Sequence, residues 1–161
     1  MSLVAISMGS NLGNRLSSLR KAVLLIKSEG INIIKTSDVF ETPPFGVTNQ
    51  PRFLNACILI ETDISPLTLL EKLKRIEKQI GRIQRFKWGP REIDLDIVFY
   101  DEQIINEPSL KIPHPHMHER PFVLIPLNQI SPKWTHPTLK KTVEEMSSES
   151  NNSGILRITE L

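Results

Sequence analysis

We predict an α+β fold of the ferredoxin-like, split βαβ type, with a mostly antiparallel sheet and helices packed on one face. Apolar segments of strand length alternate with helical patterns in the order strand, helix, strand, strand, helix, strand. Turn-forming glycines and prolines separate these segments. The length of 161 residues suits one domain with a single core. Because this fold serves many purposes, it does not by itself identify a function.

The N-terminal half supplies a strand, a helix and two further strands. Residues 3–8 are apolar and end in the turn-forming residues 9–13, after which leucine, valine and isoleucine recur at helical spacing as far as Gly30. Residues 31–40 and 53–62 are rich in apolar and β-branched residues, which is typical of strands. A proline-containing loop between these two strands is expected to be extended.

The C-terminal half begins with a helix that has Pro66 at its first position, an apolar stripe of leucine and isoleucine, and a stop at Gly81. The next strand starts at Ile93, and residues 101–105 indicate a turn and a short hairpin. A third, shorter helix is expected over residues 119–130.

We expect a single domain over residues 1–161, with its core in about residues 1–146. Residues 147–154 are rich in serine and asparagine, which is typical of a loop-like tail of low order. Residues 155–158 are compatible with a last edge strand.

Composition and charge exclude several classes of protein. The net charge is +2, so a long nucleic acid is not required as a partner. The single cysteine, Cys57, excludes an intrachain disulfide and a cysteine-based metal cluster. The longest apolar runs are far too short to cross a bilayer. Because no basic leader precedes the first strand, we expect a cytoplasmic protein. The charge and the short apolar runs lead us to expect no nucleic-acid partner and no membrane partner.

The most informative stretch is a loop ending at Pro90 that leads directly into an acidic strand. Alternation along that strand places Asp94 and Asp96 on one face, roughly 6.5–7 Å apart. Two carboxylates at this distance repel unless a cation lies between them, and oxygen ligands beside arginines indicate Mg²⁺ that binds a polyphosphate. The alternative is that the two carboxylates simply lie on a solvent-exposed strand face and bind no metal. The basic and aromatic residues upstream favour the metal site; they are Arg82, Arg85, Trp88 and Arg91.

For three weaker motifs, the residues alone leave the function undecided. The Asn55 amide either is satisfied by neighbouring backbone or pairs with the edge of a lactam or aminopyrimidine. The alternate histidines His114, His116 and His118 could suggest zinc, but no second cluster completes a tetrahedral set. Residues 9–13 resemble a phosphate-cradling loop but lack the Gly-Lys-Ser/Thr ending of a P-loop, so they do not predict ATP binding.

Short motifs with specific chemistry stand in order over about residues 1–130. The most specific is the run from Trp88 to Arg91, followed by Asp94 and Asp96. The others are Gly9-Ser10-Asn11-Leu12-Gly13, Thr42-Pro43-Pro44, Phe53-Leu54-Asn55 and Pro113-His114, and then Arg120 and Phe122. In this order and spacing they resemble the 6-hydroxymethyl-7,8-dihydropterin pyrophosphokinase family of folate biosynthesis.

The resemblance implies transfer of the β,γ-diphosphoryl unit of ATP to the hydroxymethyl oxygen of the pterin, with release of AMP. Asp94 and Asp96 would hold two Mg²⁺ ions, and the catalytic Arg82 and Arg91 would stabilise charge on the migrating group. The implied pterin-binding residues are Thr42, Pro43, Phe45, Phe53, Asn55 and Phe122. The implied nucleotide-binding residues are Glu77, Arg85, Trp88, Arg91, Ile97, Lys111, His114 and Arg120.

The chain departs from the family pattern in three places. Its basic loop is one residue shorter than in some members, which leaves the roles of Arg82 and Arg85 open. Lys87 stands where an arginine often precedes the tryptophan. Ser109 and Lys111 occupy a segment where an arginine and a small hydroxyl residue are expected. These departures concern the affinity for ATP rather than the reaction.

Other functions compete with this one. An RNA-binding module of the same fold needs aromatic residues on an open sheet face, but only 6% of the residues are aromatic and the acidic pair would repel a phosphate backbone. A nucleotidyltransferase or phosphohydrolase using the same pair would give a different nucleotide product and need no pterin. A family member that has lost catalysis and only binds its ligands is a further alternative. The intact Asp94, Asp96, Arg82 and Arg91 argue against it. For the quaternary structure we expect a monomer, with a weak dimer as the alternative.

Overall fold

A computed structural model describes all 161 residues. The elements, in chain order, are β1 (Ser2–Ser10), α1 (Arg15–Ser28), β2 (Asn32–Thr36), β3 (Asp38–Thr42), β4 (Phe53–Thr62), α2 (Pro66–Ile80), β5 (Asp94–Tyr100), β6 (Ile105–Asn106), β7 (Lys111–Ile112), a 3₁₀ turn (Met117–Glu119), α3 (Pro121–Ile130), α4 (Val143–Glu149) and β8 (Leu156–Glu160). None of the helices has the length and hydropathy needed to cross a membrane.

Six strands form one antiparallel sheet in the order β5-β1-β4-β3-β8, and β2 pairs with the other half of β4. The register places Gly9 of β1 opposite Asn55 of β4 on one side and opposite Asp94 of β5 on the other. Ser7 lies opposite Asp96. The acidic pair and the polar amide are therefore brought to the same end of three neighbouring strands.

Helices α1 and α2 pack on one face of this sheet. Asn14 and Ser65 cap their N-termini by accepting hydrogen bonds from backbone N–H groups, and Gly81 ends α2 with φ +113°, which glycine adopts without a Cβ clash. The buried side chains between helices and sheet include Ile6, Leu19, Ile26, Ile58, Leu69 and Leu73. Burial of this apolar stripe stabilises both helices against the sheet.

The predicted ferredoxin-like α+β class is confirmed, with one addition on the opposite face. Helices α3 and α4 pack there on a second core that includes Ala5, Cys57 and Phe99. The Phe99 ring stacks on Trp134 with centroids 5.0 Å apart. Helices are thus not confined to one face, because Ala5 of β1 and Cys57 and Leu59 of β4 form an apolar patch on the other face that also needs cover.

Two segments differ from the expectation drawn from the sequence. Residues 31–40 form β2 and most of β3 rather than one strand; the break is at Ser37, whose hydroxyl accepts a hydrogen bond from the Cys57 N–H (2.8 Å). The expected loop-like tail begins instead with the end of α4, which a Thr142–Glu145 capping box starts and buried Val143 and Met146 hold in place. The predicted last strand is confirmed as β8, which pairs with β3.

The second core gives a stability prediction. Phe99→Ala should lower the free energy of unfolding by about 3–5 kcal/mol, because it removes a fully buried ring beneath Trp134 and leaves a cavity. Urea unfolding measures this change. Ile104→Ala, at a side chain that is 65% exposed, is the control and should change stability by less than about 0.5 kcal/mol. Equal effects of the two substitutions would contradict a second packed core.

Candidate active site

A cavity opens at the edge of the sheet where β1 ends and where β4 and β5 begin. Its lining residues are Ser7, Met8, Gly9, Phe45, Phe53, Asn55, Trp88, Arg91, Asp94, Asp96, Arg120, Phe122 and Val123. Every aromatic, charged and amide residue among them is a site residue that the sequence predicts. The lining residues that sequence reasoning missed are small or apolar, and such residue types carry no chemical signal.

The carboxylates of Asp94 and Asp96 share one face of β5, while Leu95 between them is buried on the other. Asp94 accepts hydrogen bonds from Arg82 at Oδ1 (2.8 Å) and from Arg91 at Oδ2 (2.9 Å). Burial alone would raise the pKa of Asp94, but Arg91 and Arg82 hold it below the usual range. Burial and the charge of Asp94 raise the pKa of Asp96 to about 8. The arginines therefore balance one carboxylate of the pair and not the other.

Glu77 supports the acidic strand from behind. Its side chain is 3% exposed, and Oε2 accepts the N–H of Leu95 (2.7 Å), the residue between the two aspartates. The same oxygen pairs with Arg82 at 3.1 Å. Burial raises the pKa of Glu77. The carboxylate thus fixes Arg82 and the backbone of β5, while its expected contact with a nucleotide stays a prediction.

Arg82 and Arg85 have different partners in the structure. Arg82 lies between Glu77 and Asp94, whereas both terminal nitrogens of Arg85 bond the carboxylate of Glu92 at 2.8 Å. The hydrogen bond from Arg85 lowers the pKa of Glu92 to about 2. Sequence reasoning missed Glu92, because an acid beside a basic loop looks like an ordinary surface residue.

Aromatic rings surround the guanidinium of Arg120. Its central carbon lies 5.1 Å from the ring centroid of Trp88, 5.4 Å from that of Phe45 and 5.7 Å from that of Phe122. The Phe45 and Trp88 centroids are 5.1 Å apart. Burial lowers the pKa of Arg120, and its buried Nε has no hydrogen-bond partner. This group combines flat apolar surfaces with a cation that has unused donor capacity.

The amide of Asn55 is held between β1 and β3. Its Nδ2 donates to the hydroxyl of Thr42 (2.6 Å). A Cβ on Gly9 would lie only 2.8 Å from Oδ1 of Asn55, so only glycine leaves room for the amide at this point. Thr42 and Pro43 do not line the main cavity; they line a neighbouring one, together with Phe45 and Phe122.

The turn at residues 9–13, which resembles a phosphate-binding loop, contacts other protein loops. Oδ1 of Asn11 accepts the N–H of Arg91 (2.8 Å), and its Nδ2 donates to Oε1 of Gln50 (2.9 Å). Gln50 in turn donates from Nε2 to the carbonyl oxygen of Trp88 (2.8 Å). Asn11 therefore joins the loop that carries Trp88 and Arg91 to the loop before β4. Its partners are far away in the chain, so the sequence showed the motif but not this role.

A second cleft adjoins the cavity and shares its charged residues. The shared lining residues are Trp88, Arg91, Asp94, Asp96 and Arg120. The second cleft has four further lining residues: Lys87, His114, Pro115 and His116. The His116 N–H donates to Nδ1 of His114 (3.2 Å), so a neutral His114 ring carries its proton on Nε2. Four predicted nucleotide residues line neither cleft: Glu77, Arg85, Ile97 and Lys111. Ile97 is buried in the core beneath α1 and α2, and Lys111 on β7 donates to Asn106 (2.6 Å).

Comparison with known proteins gives consistent results. The family model described as 7,8-dihydro-6-hydroxymethylpterin-pyrophosphokinase (HPPK) matches residues 5–132. The chain is 41% identical over 150 residues to a 2-amino-4-hydroxy-6-hydroxymethyldihydropteridine pyrophosphokinase of Aquifex aeolicus, and the match covers 93% of each chain. It is 42% identical over 126 residues to the Bacillus subtilis protein of the same name, covering 78% of this chain and 75% of that one.

Longer proteins match over a part of their length. The chain is 45% identical over 124 residues to the mitochondrial folate synthesis bifunctional protein of Pisum sativum, covering 77% of this chain but 24% of that protein. A crystal structure of Plasmodium falciparum HPPK-DHPS matches with a TM-score of 0.73 and 18% identity, over 92% of this chain and 43% of that one. At this identity the likeness shows the fold alone.

The environment of His114 gives a prediction about pH. Burial and the nearby Arg120 lower the pKa of His114 to about 4, so its NMR signals should shift near that pH and stay constant between pH 5.5 and 8. Since the ordinary pKa is about 6.5, the unfolded chain binds more protons between these values, and His114 lowers stability progressively as the pH falls from 6.5 to 4. His114→Gln should remove this part of the pH dependence in urea unfolding. A midpoint near 6.5 would show that His114 is not buried as described.

Proposed function

This chain belongs to the 7,8-dihydro-6-hydroxymethylpterin-pyrophosphokinase family, and from that membership we propose which of its residues carry out the reaction. The chain transfers the pyrophosphoryl group of ATP to hydroxymethyldihydropterin in folate biosynthesis. Because the β- and γ-phosphates leave together, AMP is the other product. The observation that carries the proposed roles is the single cavity lined by the acidic pair, Arg91 and Arg120, and the aromatic rings.

The Asp94–Asp96 pair fits magnesium. Its donors are oxygens only, which hard cations prefer, and both lie on one strand face. The pKa of Asp96 is raised by desolvation and by the charge of Asp94, so the negative charge of Asp96 is unfavourable unless a cation compensates it. Two carboxylates are too few for an all-protein cage, and Mg²⁺ commonly completes its coordination with substrate phosphates. The pair would hold two Mg²⁺ ions, which would neutralise charge on the polyphosphate and make the pterin hydroxyl more acidic.

Arg82 and Arg91 stabilise the negative charge on the migrating diphosphoryl group. Both are within hydrogen-bond distance of Asp94, which places their guanidinium forks beside the acidic pair. Planar forks match the geometry of phosphate oxygens, and phosphoryl transfer needs placement and neutralisation of charge rather than a covalent protein partner. Buried Glu77 keeps Arg82 at this position, and Arg85, bonded to Glu92, is assigned a lesser role.

The pterin binds among the aromatic rings of the cavity. A flat heterocycle stacks on rings such as Phe53 and Phe122, and the Asn55 amide reads its polar edge. One proton of the Asn55 Nδ2 is committed to Thr42, which leaves the second proton and the Oδ1 acceptor for the ligand. This donor and acceptor pair matches a lactam edge. Arg120, enclosed by the rings, lies between the pterin and the acidic pair.

The nucleotide occupies the second cleft, next to the first. His114, Trp88 and Arg120 line it together with Lys87, so the phosphates meet cations and a neutral imidazole. The loops over residues 45–51 and 82–90 border both ligands and are joined through Gln50 and Trp88. We propose that these loops close together over the substrates and exclude water, which would otherwise compete for the diphosphoryl group.

We propose that the chain acts as a single-domain monomer in the cytoplasm. This chain by itself supplies acidic, basic and aromatic residues to both clefts, which supports the proposal. The chain spans about a quarter of the plant bifunctional relatives, and no further activity of those proteins is assigned to it.

The function is tested by mixing the protein with ATP, Mg²⁺ and 6-hydroxymethyl-7,8-dihydropterin and separating the nucleotides. We expect AMP, formed only when the pterin is present. ADP instead of AMP would indicate an ordinary kinase or phosphohydrolase, and AMP formed without pterin would indicate hydrolysis.

The metal assignment predicts the effect of Asp96→Ala. The variant should fold normally and lose Mg²⁺-dependent turnover by about a thousandfold or more, because half of the acidic pair is gone. Steady-state kinetics over a range of Mg²⁺ concentrations measures this loss. Glu102→Ala, at an exposed acid beyond the end of β5, is the control and should be as active as the original chain. Near-normal activity of Asp96→Ala would remove the basis for the metal assignment.

The stacking assignment predicts that Phe122→Ala weakens pterin binding about tenfold and ATP binding by no more than about twofold. The ring lines the pterin cavity and is absent from the second cleft. Calorimetric titration of each ligand measures both affinities. Equal losses for the two ligands would mean that the ring serves the general shape of the site instead of the pterin.

A further inference from the structure

We propose that the C-terminal tail segment, residues 151–155, backs the rings Phe45 and Phe122 that line the pterin pocket and thereby sets the affinity for the pterin. The identity of the ligand rests on the proposed function; the location rests on geometry alone. The family model ends at residue 132, so it assigns no role to this segment. The sequence predicts only a loop of low order here.

The tail segment faces the pterin pocket across two rings. A cavity of about 200 Å³ lies between the tail segment and these two rings. Its lining residues are Thr42, Pro43, Pro44, Phe45, Pro121, Phe122, Asn151, Ser153 and Ile155. Phe45 and Phe122 line both this cavity and the main one. A partition one side chain thick therefore separates the tail from the bound pterin, and no charged residue lines the cavity behind it. The tail limits how far these rings can move away from the ligand.

An ion-pair network fixes the tail to the strand ends that carry the pterin residues. Arg52 donates from Nη2 to the carbonyl oxygen of Gly154, and its Nε pairs with Glu41 at 3.3 Å. Glu41 also pairs with Arg15 of α1 at 2.9 Å. Arg52 directly precedes Phe53, and Glu41 directly precedes Thr42. One guanidinium thus holds the tail, the end of β3 and the start of β4 together beside the pocket.

The backbone of the tail adds a second restraint. Gly154 has φ +79°, a conformation that glycine adopts readily, and a Cβ placed on it would lie 3.7 Å from Cγ of Pro43. The strand after it, β8, pairs with β3 and places Leu156 opposite Glu41. Strand β3 is therefore flanked on both sides, and Thr42, which receives the Asn55 hydrogen bond, is held at the end of an internal strand.

The test compares two arginines that both donate to backbone carbonyls near the C-terminus, one inside the tail segment and one outside it. Arg52→Met keeps most of the apolar stem and removes both polar contacts, and it should raise the Kd of 6-hydroxymethyl-7,8-dihydropterin about five- to tenfold. Pterin fluorescence in the presence of Mg²⁺ and a non-hydrolysable ATP analogue measures this Kd. The affinity for the analogue should change by less than about twofold. Arg20→Met, which removes a contact to the Glu160 carbonyl at the far end of β8, should leave the affinity for both ligands unchanged.

Further variants separate a pocket wall from a merely structural terminus. Ile155→Ala trims a residue that lines the cavity and should raise the pterin Kd about threefold, even if Arg52→Met folds poorly. Arg52→Lys keeps the charge beside Glu41 and should recover part of the affinity. Unchanged pterin affinity in Arg52→Met and Ile155→Ala, with pterin bound normally by the original chain, would overturn this inference alone. Failure of the original chain to bind pterin would overturn the proposed function and this inference with it.

Discussion

Repulsion between two carboxylates at the end of β5 is the constraint on which the arrangement of the site depends. Asp94 and Asp96 lie on one strand face and are only partly exposed to water, so the interaction between their charges is stronger than at an open surface. Arg82 and Arg91 balance one of the two charges and bring the basic loop against the strand. The pair is thus only partly balanced by the protein's own cations, which is the basis of the proposed metal site.

Buried polar groups hold this arrangement because leaving them unpaired would be costly. Glu77 bonds the backbone between the aspartates and the Arg82 guanidinium, and Asn11 bonds the backbone of Arg91 on both its N–H and its carbonyl side. Neither side chain needs to touch a substrate to affect the reaction. Both fix the donors of the site to rigid elements, a helix in one case and the end of a strand in the other.

The four aromatic rings of the site come from different kinds of element: Phe53 begins β4, Phe122 lies in α3, and the other two rings lie in loops. Phe45 and Trp88 come from two loops that touch through their rings and through Gln50. The tail segment closes the cavity behind Phe45 and Phe122. The acidic pair is thus mounted on a strand, whereas two of the four rings are mounted on loops.

The sequence by itself determined the features that follow from local periodicity: the single face shared by Asp94 and Asp96, the limits of α2 and the order of most strands and helices. The specific run of residues around them also identified the family. Only the tertiary structure decided which carboxylate each arginine meets, what Asn11 binds and that residues 143–149 form a helix. The physical reason is that periodicity fixes directions along one element, whereas these pairings depend on how distant elements pack.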